Sequence, residues 1–196
     1  MRRIPTGLFV VALVALMSGL VSPVLAAAQK YKLDAAHTSV YFSIKHAGIS
    51  DVYGRFNEHQ GSFTVDKDNP GGSSFEMSIK AASIDTGNAK RDDHLRSPDF
   101  LNVNQFPALT FKSTAVKAAQ DGLEVTGDLT IHGQTKSVTI TLKGGDTAEF
   151  PPGSGQMRMA YNGQLTIKRS DFGMTKMMGA VGDEVQIMLG LEGVKQ

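Results

Sequence analysis

The sequence contains no cysteine and no tryptophan, and aromatic residues of every kind make up only 7% of its 196 positions. The missing cysteine excludes disulfide staples, thiolate zinc sites and cysteine nucleophiles together. An excess of one charge is also lacking, because 20 lysine and arginine side chains face 19 acidic ones. Without a basic surplus the chain has little with which to collect nucleic-acid phosphates, and no nucleic-acid partner is expected. The five histidines, His37, His46, His59, His94 and His132, are scattered with no i, i+4 pair to hold a metal, so neither a metal nor a cofactor is expected. There is no Gly-x-Ser-x-Gly elbow, no His-Glu-x-x-His helix and no glycine-rich phosphate cradle, which removes the enzyme classes that those motifs serve.

Long apolar runs are lacking too, apart from one at the start. Met1-Arg2-Arg3 leads into an uncharged stretch from Leu8 to Leu20 and then into Pro23-Val24-Leu25-Ala26-Ala27-Ala28. A basic start, an apolar run and a small-residue end are the marks of a secretory signal peptide. Ser18, Gly19, Ser22 and Pro23 interrupt the run before it reaches the ~20 apolar residues of a membrane span. The expectation is a signal peptide over residues 1–26, cleaved between 26 and 28, a single domain over 29–196, and a periplasmic location. Loss of Arg2 and Arg3 leaves 18 basic against 19 acidic side chains, a net charge of −1. A remainder of roughly 170 residues can bury a core without staples.

What the rest contains is alternation. Val40, Phe42, Ile44 and His46 alternate with Tyr41, Ser43 and Lys45, the period-2 pattern of a strand with one packed face and one wet face. The pattern recurs in Phe63/Val65, Phe75/Met77/Ile79, Leu109/Phe111, Leu123/Val125, Leu129/Ile131, Val138/Ile140/Leu142, Leu165/Ile167 and Val185/Ile187/Leu189/Leu191. Turn clusters such as Asp121-Gly122, His132-Gly133 and Lys143-Gly144-Gly145-Asp146 separate these runs at hairpin spacing. The reading is an all-β, up-and-down meander of about eight or nine strands, which either pack as two sheets or close into a barrel able to hold one ligand. The pattern alone does not choose between the two.

One segment breaks the rhythm. Asn88 is placed to cap one or two helical turns, and Ser97-Pro98 predicts a second short helix with proline at its first position. A helical insertion near residues 88–101 would make a lid or plug for the barrel.

Taken in order, these residues resemble the YceI-like family of polyisoprenoid-binding proteins. The resemblance runs through Tyr31-Lys32-Leu33-Asp34, His37-Thr38, Val40 to His46, Gly54-Arg55-Phe56 and Ser83-Ile84-Asp85-Thr86. It continues through Arg91 to Phe100, Phe106-Pro107, Gly127-Asp128-Leu129-Thr130-Ile131-His132-Gly133 and Arg169-Ser170-Asp171-Phe172-Gly173. At Asn57-Glu58-His59-Gln60-Gly61 the chain departs from it, since members often carry a second aromatic before that glycine. The resemblance implies an extended, lipocalin-like, eight-stranded antiparallel barrel. It implies a bound amphiphilic isoprenoid, either a quinone or a polyprenyl derivative, and a carrier rather than an enzyme.

A polyprenyl tail needs an apolar tunnel with a few polar groups at one end. The residues assigned to the tail are Phe42, Ile44, Phe63, Phe75, Met77, Ile79, Phe100, Phe111, Leu129, Ile131, Ile140, Leu165, Ile167 and Ile187. Those assigned to the head group are Asn88, Arg91, Asp92 and His94 on the helical segment, joined by Arg169 and Asp171, a pair that also reads as a structural salt bridge. A guanidinium offers a planar fork of donors to a carbonyl or phosphate. Six of the nine methionines, Met157, Met159, Met174, Met177, Met178 and Met188, fall late in the chain and read equally as a compliant mouth or as core filling. Two other readings stand beside the carrier: an acid–base enzyme acting on a lipid through Asp92 or Asp93 with His94, and a filled barrel with a structural role. A carrier must exchange its lipid with a bilayer, so transient membrane contact is expected, and a homodimer is compatible with the family.

Overall fold

Every alternating run becomes a strand, and hydrogen bonding extends most of them beyond the apolar residues that announce them. The computed structural model describes residues 27–196; the expected signal peptide, residues 1–26, lies outside the described residues. Eleven strands follow in order: β1 (Gln29–Leu33), β2 (Ser39–His46), β3 (Ser50–Phe56), β4 (His59–Val65), β5 (Ser74–Lys80), β6 (Ile84–Asp85), β7 (Ala108–Ala119), β8 (Gly122–Ile131), β9 (Gln134–Glu149), β10 (Met157–Lys168) and β11 (Val181–Lys195). One α-helix, α1 (Ala89–Arg96), lies between β6 and β7.

The eleven strands make a closed barrel of eight, because three of its staves are broken. Along one edge of β11, β2 pairs from Val181↔His46 to Gly190↔Ser39, and β1 takes over from Leu33↔Gly193 to Tyr31↔Lys195. β3 pairs with β2 while β4, its continuation, pairs with β1. β5 pairs with β4, and its continuation β6 pairs with β3. β7, β8, β9 and β10 complete the circuit back to β11 as hairpin neighbours. The meander is therefore up-and-down, and closure settles the choice between barrel and sandwich. A strand of the 16 residues of β9, at about 3.3 Å per residue and tilted as barrels require, spans on the order of 40 Å of barrel height.

Two of the breaks are held by specific polar groups. At residues 34–38, Arg158 from β10 donates to both Asp34 and Glu192, and the Asp34 and Thr38 amides are satisfied by the carbonyls of Glu192 and Asp34. The guanidinium of Arg158, helped by His37, holds the Asp34 carboxyl down to about 2. At residues 57–58 the chain turns on His59, whose Nε2 reaches the Thr38 carbonyl at 2.9 Å while Nδ1 is buried with no partner among the described residues. That nitrogen can neither be protonated nor hydrated cheaply, and burial pulls the His59 pKa below its usual value.

The helical insertion is shorter than expected. The Asn88 side chain accepts from the Arg91 amide as an N-cap, but α1 ends at Arg96 and no second helix follows Ser97-Pro98. Proline disfavours helical backbone at the residue before it, and Ser97 is extended, at φ −70° and ψ 169°. The amides of Leu101, Asn102 and Val103 then turn back to the carbonyls of Leu95, Ser97 and Arg96. The segment is a string of turns folded onto the end of one helix.

Candidate functional site

The barrel holds two apolar chambers stacked along its axis. The upper one, about 90 Å³, lies beneath the end of the barrel where β1 begins and β11 ends. The lower one, about 400 Å³, lies at the end that carries α1. Phe42, Phe56, Leu109, Ile131 and Ile187 wall both chambers and form the neck between them. Phenylalanine rings reach over glycines along these walls: a Cβ on Gly54 would stand 2.3 Å from Phe42 Cζ at the neck, and one on Gly127 would stand 2.5 Å from Phe111 Cζ in the upper chamber.

Every residue assigned to the tail sits on these walls. Phe63, Phe75, Met77, Ile79, Phe111, Leu129, Ile140 and Leu165 wall the upper chamber, Ile44, Phe100 and Ile167 the lower, and Phe42, Ile131 and Ile187 the neck. Above the upper chamber the barrel is shut. Tyr31, Phe63 and Phe75 stack at centroid separations of 5.0 and 5.5 Å, with Tyr161 edge-on to both phenylalanines. Burial pushes the Tyr161 phenol up to about 12. Met159 is buried in the same cluster, so that methionine is core.

The residues assigned to the head group divide by helical position. Lys90 and His94, and likewise Arg91 and Leu95, are i, i+4 pairs on the stripe of α1 that walls the lower chamber. Asn88, Asp92 and Arg96 fall on the opposite stripe, which docks the helix on its neighbours. Buried Asp92 accepts from the Thr86 amide at 2.9 Å and from the Thr86 hydroxyl, while Arg96 donates to the carbonyls of Ala82 and Ile84. Asn88 and Asp92 thus hold the helix and do not wall the chamber. The acid–base pair of Asp92 or Asp93 with His94 is not assembled either: Asp93 bonds Arg96, and the His94 Nε2 lies 3.1 Å from Asp99.

Arg91 is half committed. Its Nε donates to the Thr86 hydroxyl at 2.7 Å and one terminal nitrogen to the Thr86 carbonyl at 2.8 Å, which orients the guanidinium at the chamber edge. Arg169 does wall the chamber, yet it is 3% exposed and gives its donors to the carbonyls of Gly182, Met174, Lys176 and Val181. Burial lowers its pKa, opposed by Asp183. Asp171 is exposed and makes no salt bridge to Arg169; the carboxylate close to that arginine is Asp183, which accepts from the Ser170 amide and hydroxyl. The pair read from sequence is therefore replaced by a buried arginine that ties the loop before β11 to the first residues of that strand.

The sequence reading missed Thr86, Lys90 and His46 in the lower wall, where Met174 and Met177, read equally as mouth or core, also stand. Lys90 and His94 share the helical stripe of the other liners, so that spacing was available as a signal; the loop residues carried none. All six wall residues with ionisable groups, Lys45, His46, Lys90, Arg91, His94 and Arg169, are basic. Lys45 contributes backbone, since the alternation of β2 turns its amine outward to Asp51 at 2.9 Å. Elsewhere, Asp34, His37 and Glu192 converge closely enough to suggest a cation, and the guanidinium of Arg158 is the cation that the two carboxylates hold.

Comparison with known proteins agrees with this architecture. A YceI-like domain matches residues 31–193. A UPF0312 protein of Pseudomonas aeruginosa is 43% identical over 187 residues, covering 94% of this chain and 97% of the relative. Protein YceI of Salmonella paratyphi B is 41% identical over 173 residues, covering 87% and 90%. Among solved structures, BcnA of Burkholderia cenocepacia superposes with a TM-score of 0.72 at 28% identity, covering 82% of this chain and 98% of that one. A polyisoprenoid binding domain from Saccharophagus degradans superposes with a TM-score of 0.62 at 16% identity, covering 85% and 98%.

Proposed function

The chain belongs to the YceI-like family, and from that premise we propose that it is an exported, periplasmic carrier of a long amphiphilic isoprenoid, a quinone or polyprenyl derivative. The observation that carries this reading is the length of apolar space along the barrel axis: two chambers that share the walls Phe42, Phe56, Leu109, Ile131 and Ile187, with an aromatic plug above and basic and hydrogen-bonding groups below. A compact ligand would not need that length, whereas an isoprenoid tail would use all of it. The Saccharophagus domain, a polyisoprenoid binder by description, has the same barrel; the chemistry proposed for this chain rests on its own walls.

The tail enters through the lower chamber, passes the neck and ends beneath Phe63 and Phe75. The head group stays at the lower edge, within reach of Arg91, His94 and Lys90. At about 0.3 kcal/mol per heavy atom, a forty-carbon tail contributes on the order of 12 kcal/mol, against ~1 kcal/mol for one buried hydrogen bond. The tail therefore sets affinity and the head sets orientation. A binding role is favoured over catalysis by the state of the carboxylates near the chamber, since Asp92 is spent on Thr86 and Asp93 on Arg96. A chamber of about 400 Å³ speaks against a filled, purely structural barrel. Native mass spectrometry of protein purified from the periplasm, followed by solvent extraction, tests the proposal. The expected result is one isoprenoid per barrel; lipid-free protein that takes up neither quinone nor polyprenyl phosphate would overturn it.

A further inference from the structure

Large apolar side chains are left in water at the open end. Ile49 is 85% exposed at the tip of the β2–β3 turn, and Met177 and Met178 are 45% and 44% exposed in the loop before β11. The two loops are neighbours: the Ala47 amide donates to the Ala180 carbonyl at 2.7 Å, and the Ala180 amide closes a turn on Met177. Met177 also walls the lower chamber, so this apolar tip adjoins the chamber's edge. Tyr53, 62% exposed, stands on the outer face of β3, on the order of 13 Å from Ile49 along the strand.

We infer that this tip, formed by Ile49, Met177 and Met178, docks the barrel on an anionic lipid surface, with the tunnel opening toward the bilayer. Three protruding side chains on two turns suit insertion between head groups; they are far short of the ~1,000 Å² that a stable protein interface buries. A ring such as that of Tyr53 favours the head-group level behind an inserted tip. The sign of the lipid charge follows from the groups beside the tip. Lys45 and Lys176 are each paired with an aspartate, Asp51 and Asp99, whereas Lys90 and Arg91 have no carboxylate partner among the described residues. Acidic lipids would supply the missing counter-charge. The inference rests on the carrier reading, and gives it the face through which lipid enters and leaves.

The test is co-sedimentation of the mature protein with vesicles of phosphatidylcholine alone and of phosphatidylcholine with phosphatidylglycerol. The wild type is expected to bind the anionic vesicles more tightly. An Ile49→Asp, Met178→Asp double variant, neither residue being in the tunnel wall, is expected to bind them about tenfold or more weakly while keeping its thermal midpoint and its extracted lipid. Because the chain has no tryptophan, the indole of an Ile49→Trp variant reports insertion directly through a blue shift with vesicles. Equal sedimentation of wild type and double variant, or an indole unshifted by anionic vesicles, would overturn the inference. So would a dimer that the two aspartates dissociate, since the tip would then be a protein interface. Isoprenoid-free protein that still inserts its tip would uphold the docking face and remove the carrier reading instead.

Discussion

The two ends of the barrel are built from the same alternating strands and do opposite things. At the closed end, Tyr31, Phe63, Phe75, Met159 and Tyr161 are each no more than 5% exposed and fill the space between the staves with rings. At the open end the staves stop at loops, Phe100 and Leu101 cover part of the barrel, and a chamber remains whose edge is basic. The difference is one of packing partners. Rings that find other rings make a core; walls whose opposite side is a helix stripe of Lys90, Arg91 and His94 leave room for something else. The closed end should carry stability, and the open end should carry ligand.

Substitutions can break this division, starting with the largest effect. Phe63→Ala should cost about 3–5 kcal/mol of stability, read as a lowered urea midpoint, while the unfolded fraction stays small enough for isoprenoid still to be extracted. If Phe63→Ala and Met177→Ala cost the same, the two ends are not distinct. Ile187→Trp should fill the neck and confine the tail to the lower chamber. At ~0.3 kcal/mol per atom, ten excluded carbons weaken binding by ~3 kcal/mol, about a hundredfold; titration with a quinone of long chain checks this, and a short-chain quinone should be affected little. Arg91→Ala removes an orienting group and about 1 kcal/mol, roughly fivefold in affinity. Complete loss of lipid from a folded Arg91→Ala protein would reverse the ranking of tail over head.

A separate expected effect is on pH dependence, and it belongs to the strand breaks between the two ends. The folded pKa of His59 lies below its usual 6.5, so the unfolded chain takes up that proton first and stability falls as pH drops below 6.5. Asp34 acts in a lower window. Its folded pKa of about 2, against an ordinary 3.8, contributes stability that is present above 3.8 and lost as pH falls toward 2. Urea midpoints measured across pH should show both declines in the wild type and only the lower one in His59→Gln.

Much of the barrel was legible because side-chain direction in a strand is a local property. Phe42, Phe111 and Ile187 had to share a face with their i±2 neighbours, whichever strands lay beside them. Closure was not local: it depends on β11 passing from β2 to β1, across a break held by Arg158, more than a hundred residues away in sequence. Of the head-group assignments, Arg91, His94 and Arg169 stand on the chamber wall and Asn88, Asp92 and Asp171 do not, for a similar reason. Helical spacing separates Arg91 and His94 from Asn88 and Asp92, but only the docking of α1 on Ala82, Ile84 and Thr86 shows which stripe faces the chamber. The role of Arg169 was out of reach, since its partners are backbone carbonyls of a loop with no pattern of its own. Ser97-Pro98 was read as a helix start, and the chain used the same two residues as a helix stop.

The central claim is directional: head at the basic edge, tail end under the aromatic plug. Photo-crosslinking with a polyprenyl probe that carries a diazirine at its tail terminus tests it most directly. The account predicts adducts on the closed-end walls, at Phe63 and Phe75 or at Ile140 and Leu142. Adducts on Arg91, His94 or Leu95 from a probe that is bound in stoichiometric amount would contradict it.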